Sequence, residues 1–331
     1  MAQIKLTPTA RYVLLVLFIL FGIHSILTFT HEPYGRATSI SSLTGGFSWS
    51  TSAAPPAIPD TYYDSELPPT PAHNSSIRAN ATILMLARNS DAEGAVRSVR
   101  ELEDRFNHRY QYPWVFLNEV EFDSEFKRRV SNVISGPVYF GTIPREHWYQ
   151  PAWIDEDRAS AARQKMVDDN IIYGGSLSYR NMCRFNSGFF YRHPLLQQFK
   201  WYWRVEPDVH FRCDVSFDPF RYMEDHNKVY AFTITMYEYL ATIPTLWATV
   251  KEFVGLHPEY VKENNAMNYM SEDGGATYNL CHFWSNFEIA NMDFWRGEAY
   301  SQFFDYLDSK GGFYYEVRVT PFSSDPADQV P

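Results

Sequence analysis

Phe199-Lys200-Trp201-Tyr202-Trp203-Arg204-Val205-Glu206-Pro207-Asp208 decides the fold of this chain. Phe199 to Val205 is rich in aromatic and β-branched residues and reads as a buried strand. Pro207 has no N–H to give a ladder, so the strand ends there. Glu206 and Asp208 then project from the carboxyl end of a strand, where open α/β sheets place their ligand sites. Acid-x-acid at such a place suits a divalent cation held against a diphosphate. Hard oxygen ligands suit Mn²⁺ or Mg²⁺, and the cation neutralises charge building on a leaving group. Taken alone, the tripeptide reads more readily as a solvated turn after a strand.

Working outward, Ala81 to Ala87 is a short apolar run, and Asn89-Ser90-Asp91 caps a helix whose apolar face is Val96, Val99, Leu102 and Phe106. Trp114 to Leu117 reads as a strand, Ser124 to Val133 as a helix and Val138 to Ile143 as a third strand. This alternation predicts βαβ units and a parallel sheet, an α/β fold. The first strand end, Ala87-Arg88-Asn89, is where a nucleotide is expected. No Gly-x-Gly-x-x-Gly and no phosphate-binding Walker loop is present, which argues against a dinucleotide fold. Asp155 to Asn170 reads as a polar helix, Lys228 to Met236 as a strand and Thr245 to Val254 as a helix.

Between the polar helix and the acidic motif lie Tyr173 and Tyr179-Arg180-Asn181-Met182-Cys183-Arg184-Phe185. Two arginines and two tyrosines there suit a diphosphate and a stacked base, because Arg pairs with phosphate through two bonds and Tyr offers a flat face. Tyr173 is equally well read as a core residue with a wet edge. Further on, Glu288 is a single acid inside Tyr278 to Ile289, a block of aromatic and apolar residues. Burial there is costly unless the carboxylate is paired or has a chemical task. The alternative is a structural carboxylate bonded to backbone amides. Glu272 and Asp273, before Gly274-Gly275, read more as a solvated loop than as a second acidic site.

The chain's 331 residues, 45% hydrophobic and 17% aromatic, are enough to bury a large core. A net charge of -10 without a dense basic cluster excludes a nucleic-acid surface. Residues 1–11 read as a cytosolic tail and 12–29 as a transmembrane signal anchor. Its eighteen residues are short for a span, and Lys5 and Arg11 before it predict a cytosolic N-terminus. Residues 30–78 are rich in Ser, Thr and Pro and read as a luminal stem, with 79–316 as the globular domain it carries. Asn74 and Asn80 head glycosylation sequons, of which Asn74 is the better placed for use. Cys183, Cys213 and Cys281 do not resemble a zinc site, and in an oxidising lumen one pair is expected to bridge.

Several blocks together resemble the fungal Golgi α-1,2-mannosyltransferases that use GDP-mannose. They are Ala87 to Asp91, Glu103 to Asn107, Glu146-His147-Trp148, Trp153-Ile154-Asp155, Tyr179 to Phe185, Tyr202 to Pro207, Tyr237-Glu238-Tyr239 and His282 to Glu288. The similarity runs from about Asn80 to Glu316, and such long aromatic-rich matches in order tip the acidic tripeptide towards a site. The resemblance implies a GT-A type fold with a mixed central sheet behind a single transmembrane helix. It also implies a type II Golgi anchor, Mn²⁺, a GDP-mannose donor and a mannose-terminated glycan acceptor. Glu206, with Asp208, is implied at the metal and donor site, Arg88 and Tyr179 at the GDP, and Glu288 as nucleophile of a retaining transfer. Retention needs a carboxylate on the face opposite the leaving group, or a front-face route.

The resemblance stops after Gly311 to Glu316. The family continues with an Arg-Trp-Gly-Asp-Ala-Pro-Val-His block carrying a metal-binding histidine, whereas residues 317–331 form a divergent tail that reads as a truncated or misread end. Two rivals follow: a catalytically inactive homologue that binds glycans or partners, and a luminal retaining glycosidase built on two carboxylates.

Overall fold

A computed structural model of the chain describes residues 62–64 and 78–316. The chain divides into two units, Met1–Ala57 and Ile58–Pro331, and all the described residues belong to the second. The expected cytosolic tail, the 12–29 anchor, nearly all of the stem with Asn74, and the divergent tail lie outside the described residues. Among those described, no helix is long and apolar enough to cross a membrane.

Nine strands are described: β1 Tyr62–Asp64, β2 Ala81–Leu86, β3 Trp114–Asn118, β4 Val138–Thr142, β5 Trp201–Arg204, β6 Tyr230–Ala231, β7 Thr235–Tyr237, β8 Cys281–Phe283 and β9 Ile289–Asn291. The main sheet has the order β1-β4-β3-β2-β5-β9-β6. From β1 to β5 its neighbours pair in parallel, while β9 runs antiparallel to both β5 and β6, so the sheet is mixed. The helices used below are α1 Ala92–Leu102, α2 Ser124–Ser131, α3 Arg145–Trp148, α4 Glu156–Asp168, α5 Leu177–Gly188, α6 Pro219–Asp225, α7 Leu246–Leu256 and α8 Glu298–Ser309.

Strand alternation sorts the core into two layers. Ile83, Met85, Trp114, Phe116, Phe140, Trp201 and Trp203 pack on one face with Val99 and Leu102 of α1 and Phe126 and Val130 of α2. Leu84, Val115, Leu117, Tyr139 and Tyr202 pack on the other with Phe185 of α5 and Phe304 of α8. Both faces are covered, which is why the parallel strands read as continuous apolar runs. Each fully buried side chain of this kind contributes about 2 kcal/mol. Asp123 and Asp155 cap α2 and α4 by accepting from the N–H groups of Phe126 (2.7 Å) and Arg158 (3.1 Å).

Two expectations are corrected. Lys228 to Met236 is not one strand: β6 adds two residues to the main sheet, and β7 pairs with β8 in a separate ribbon. The partner β9 is only three residues long, so the ladder runs out and the chain finds a new edge. The expected bridge among the cysteines is not formed either. Cys183 is buried in α5, Cys213 is exposed, and the Cys281 thiol donates to the Tyr269 hydroxyl at 3.0 Å, so none of the three is in a disulfide.

Candidate active site

The carboxyl ends of β2 and β5 open onto a cleft of about 440 Å³. Arg88, Glu206 and Asp208 all line it, so three of the residues singled out by sequence come together although 118 positions separate Arg88 from Glu206. β2 and β5 are hydrogen-bonded neighbours, with Leu84 opposite Arg204 and the Val205 N–H donating to the Leu84 carbonyl at 2.9 Å. That register places both strand ends side by side.

Each side chain is held differently. The Arg88 N–H donates to the Asp91 carboxylate at 2.8 Å, which fixes the turn into α1, and its guanidinium reaches Ser178 of α5 at 3.2 Å. Glu206 is buried and pairs with the Arg204 guanidinium, which also donates to the Ser285 hydroxyl at 3.2 Å. Asp208 is largely exposed, has φ +60, and pairs with Arg97 of α1 at 3.0 Å. Its N–H donates to the Gly94 carbonyl at 3.3 Å. A Cβ at position 94 would stand 2.8 Å from the Asp208 carboxylate, so glycine lets the helix approach the acidic loop.

Tyr179 is not among the residues lining the cleft. It sits in the first turn of α5 between Ser178, which binds Arg88, and Met182, which does line the cleft, and its ring stacks on Tyr173 at 4.8 Å. Glu288 also lies outside the lining, beside the end of β5 and at the head of β9. Its carboxylate accepts from the Tyr202 hydroxyl at 2.7 Å and the Tyr230 hydroxyl at 2.9 Å. Burial pushes it up to about 7, against the opposing pull of Arg204 and the two phenols. Its own carbonyl accepts from the Arg204 N–H at 2.9 Å, so one residue, Arg204, ties Glu288 by its main chain and Glu206 by its side chain.

Glu93, Gly94, Arg97, Glu119, Trp148 and Met182 complete much of the cleft wall; only Trp148 and Met182 fell within blocks quoted from the sequence, and neither was given a role there. Glu119 was within reach of the strand-end rule, since it directly follows β3. The others carry no local signal. The weaker acidic candidate resolves as a loop: the exposed Asp273 accepts from the Thr277 N–H at 2.8 Å, the Thr277 hydroxyl at 2.7 Å and the Ser271 hydroxyl at 2.7 Å. Those bonds hold its carboxyl down at about 2.

Among the described residues, no group of three or more His, Cys, Asp or Glu side chains is placed to hold a metal. Glu206 and Asp208 nevertheless bring two carboxylates to one cleft. A hard cation sharing its shell with substrate phosphates needs only one or two, so the donor set fits a cation bound together with a diphosphate.

A mixed α/β sheet with arginines and carboxylates gathered at its strand ends has its ligand site in the place where open α/β sheets put theirs. The sequence profile of the glycolipid 2-alpha-mannosyltransferase family matches residues 52–319, and the chain belongs to that family. It is 56% identical over 239 residues to glycolipid 2-alpha-mannosyltransferase 2 of Candida albicans, covering 72% of this chain and 52% of the relative. It is 54% identical over 239 residues to the alpha-1,2 mannosyltransferase KTR1 of Saccharomyces cerevisiae, covering 72% of this chain and 61% of the relative. The chain therefore spans between half and two thirds of the length of these relatives. Its fold is similar to the crystal structure of core-mannan synthase A from Aspergillus fumigatus in its Mn/GDP form. The TM-score is 0.73 at 40% identity, covering 76% of this chain and 70% of that one.

Proposed function

We propose that this chain is a GT-A type, retaining α-1,2-mannosyltransferase that moves mannose from GDP-mannose to a terminal mannose of a protein-linked glycan. We place it in the Golgi as a single-pass type II membrane protein with its catalytic domain luminal. The observation that carries the proposal is the convergence of Arg88, Glu206 and Asp208 in one cleft, with Glu288 anchored to β5, the strand that leads into it. The names of the relatives and the Mn/GDP form of the solved structure support the donor and the metal.

Arg88 would hold the donor's diphosphate, with Tyr179 beside it, and Glu206 and Asp208 would hold Mn²⁺. The cation, when bound, neutralises charge on the departing diphosphate. Glu288 would stand beneath the anomeric carbon. Its carboxylate either attacks as the C–O bond to GDP breaks and is then displaced by the acceptor hydroxyl, which gives up its proton, or steadies the positive charge while that hydroxyl adds on the face GDP leaves. A carboxyl near 7 is partly ionised at neutral pH, and the two phenols fix its plane. The Tyr202–Arg204 segment passes from Glu288 to Glu206, so the sugar end and the phosphate end share one rigid support.

Transfer from GDP-mannose to methyl α-mannoside by the full chain, with Mn²⁺ or with EDTA, tests the proposal. An α-1,2-linked product that disappears in EDTA is the expected result. Hydrolysis of mannosides with neither nucleotide nor metal would make the protein a glycosidase, and binding without turnover would make it a binding protein.

A further inference from the structure

A second cleft, of about 520 Å³, opens on the far side of α3, lined by Arg145, Glu146, Tyr149, Gln150, Trp153 and Arg184 among others. It shares two structural elements with the first. Trp148 faces the first cleft while its neighbour Tyr149 faces the second, and on α5 Met182 lines the first and Arg184 the second. Its volume lies within the range of small-ligand sites.

Three features of its wall specify a ligand. Trp153 is 51% exposed and Tyr149 38% exposed, so two rings stand open on one wall. Trp153 is nonetheless firmly placed, because Ile154 beside it is buried in the core and the Asp155 N–H donates to the Tyr315 hydroxyl at 3.0 Å. Secondly, the charges are already answered. Arg184 makes two bonds to Asp308, at 2.8 and 2.9 Å, and the Arg145 guanidinium lies 4.5 Å over the Tyr149 ring. With Glu146 also in the wall, nothing there calls for an anion. Thirdly, Gln150 spends its amide nitrogen on Glu156 at 2.7 Å, and its amide oxygen is buried without a hydrogen-bond partner. An acceptor left unpaired is costly, and a turn of the Gln150 side chain towards the cleft would give it an O–H or N–H donor from a ligand.

Flat aromatic faces, an unused acceptor and no net demand for charge match a neutral pyranose, which offers a C–H face for stacking and hydroxyls around its rim. We propose that this cleft binds a sugar unit of the acceptor chain behind the one that is modified, with Trp153 and Tyr149 as the stacking platform and Gln150 accepting from a ring hydroxyl. The proposal rests on the transferase function proposed above and adds to it a preference for extended acceptors.

The test uses the full chain with methyl α-mannoside and with a linear mannotriose as acceptors, in the parent protein and in the Trp153→Ala, Tyr149→Ala and Trp153→Phe variants. In the parent, kcat/KM for mannotriose should exceed that for methyl mannoside by about five- to tenfold, a typical worth of one or two aromatic stacking contacts. That ratio should fall towards one in Trp153→Ala and Tyr149→Ala and stay largely intact in Trp153→Phe. A ratio unmoved by both alanine variants overturns the proposal. Saturation-transfer NMR of mannotriose without nucleotide gives a readout independent of catalysis. A mannotriose signal that vanishes in Trp153→Ala, in a protein that transfers no mannose to any acceptor, keeps the sugar cleft and overturns the transferase function. Mannose transfer together with a mannotriose signal unchanged in Trp153→Ala does the reverse.

Discussion

Two buried carboxylates, one on each side of β2, show how differently one fold uses the same chemical group. Glu103, in a π-helical turn after α1, accepts from the Asn107 amide (2.6 Å), the Trp114 indole (2.8 Å) and the Ser135 N–H (3.1 Å). It ties a helix end to β3 and to the loop after α2. Glu288, on the antiparallel side, has two phenols, an arginine main chain at its carbonyl and an acidic neighbour in Glu206, and burial raises its carboxyl to about 7. Both carboxylates are bonded. One welds a helix end to a strand and a loop, and the other stands at the head of β9, hydrogen-bonded to the strand that leads into the cleft's acids. Burial and hydrogen bonding by themselves do not mark a working residue, whereas position relative to the strand ends does.

Glu288→Gln breaks that comparison most sharply. If Glu288 reacts, mannosyl transfer should fall on the order of 10³-fold or more, because an interaction made only in the transition state is removed. Glu103→Gln should leave kcat within about twofold while lowering stability by about 1–3 kcal/mol. Equal losses of activity in the two variants would erase the distinction.

Glu206→Ala comes next. It removes the carboxylate paired with the buried Arg204 guanidinium and should destabilise the domain by about 3 kcal/mol, read from the denaturant midpoint at constant m. A change below about 1 kcal/mol would mean that Arg204 finds another partner.

The pH dependence of stability is a third and smaller handle. Glu288 has a folded-state value of about 7 against an ordinary 4.5, so the folded protein favours the protonated acid. The resulting stabilisation is fully present below about 4.5 and is lost as pH rises towards and through about 7. Its size is about 3 kcal/mol at 1.36 kcal/mol for each pH unit of separation. Glu288→Gln should flatten this slope between pH 4.5 and 7, and a parallel slope in both proteins would locate the titration elsewhere. Smallest of all, Arg97→Ala removes an exposed pair with Asp208 and should cost under about 1 kcal/mol, seen as a shift in Tm of a few degrees at most.

Much of the parallel half is legible in the chain's own residues. Trp114 to Leu117 and Val138 to Ile143 differ from β3 and β4 by one residue each, because continuous apolar runs bounded by polar turns leave few other readings. The antiparallel edge is not legible in the same way. Lys228 to Met236 carries strand composition throughout, yet the split into β6 and β7 depends on how much of β9 is available to pair. Composition does not record the length of a distant partner. Tyr202 and Tyr230 illustrate the same limit, since each reads as a core tyrosine until its hydroxyl is found on Glu288.

What the sequence by itself determined is local: the strand that Pro207 ends, the acids on either side of it, the alternation that predicts a parallel α/β sheet, and the blocks that mark the family. Each depends on spacing along the chain or on backbone chemistry carried by a single residue. Only the tertiary structure decided which strand ends stand together and that Gly94 admits the Asp208 loop. It alone placed Glu288 beside the end of β5 and opened a second cleft beside the first. Those outcomes come from strand register and helix packing between segments far apart in the chain, such as Ala81 with Trp201 in the β2–β5 pair and Trp201 with Asn291 in the β5–β9 pair. Contacts at that range form when buried surface and paired hydrogen bonds outweigh the entropy of closing the chain.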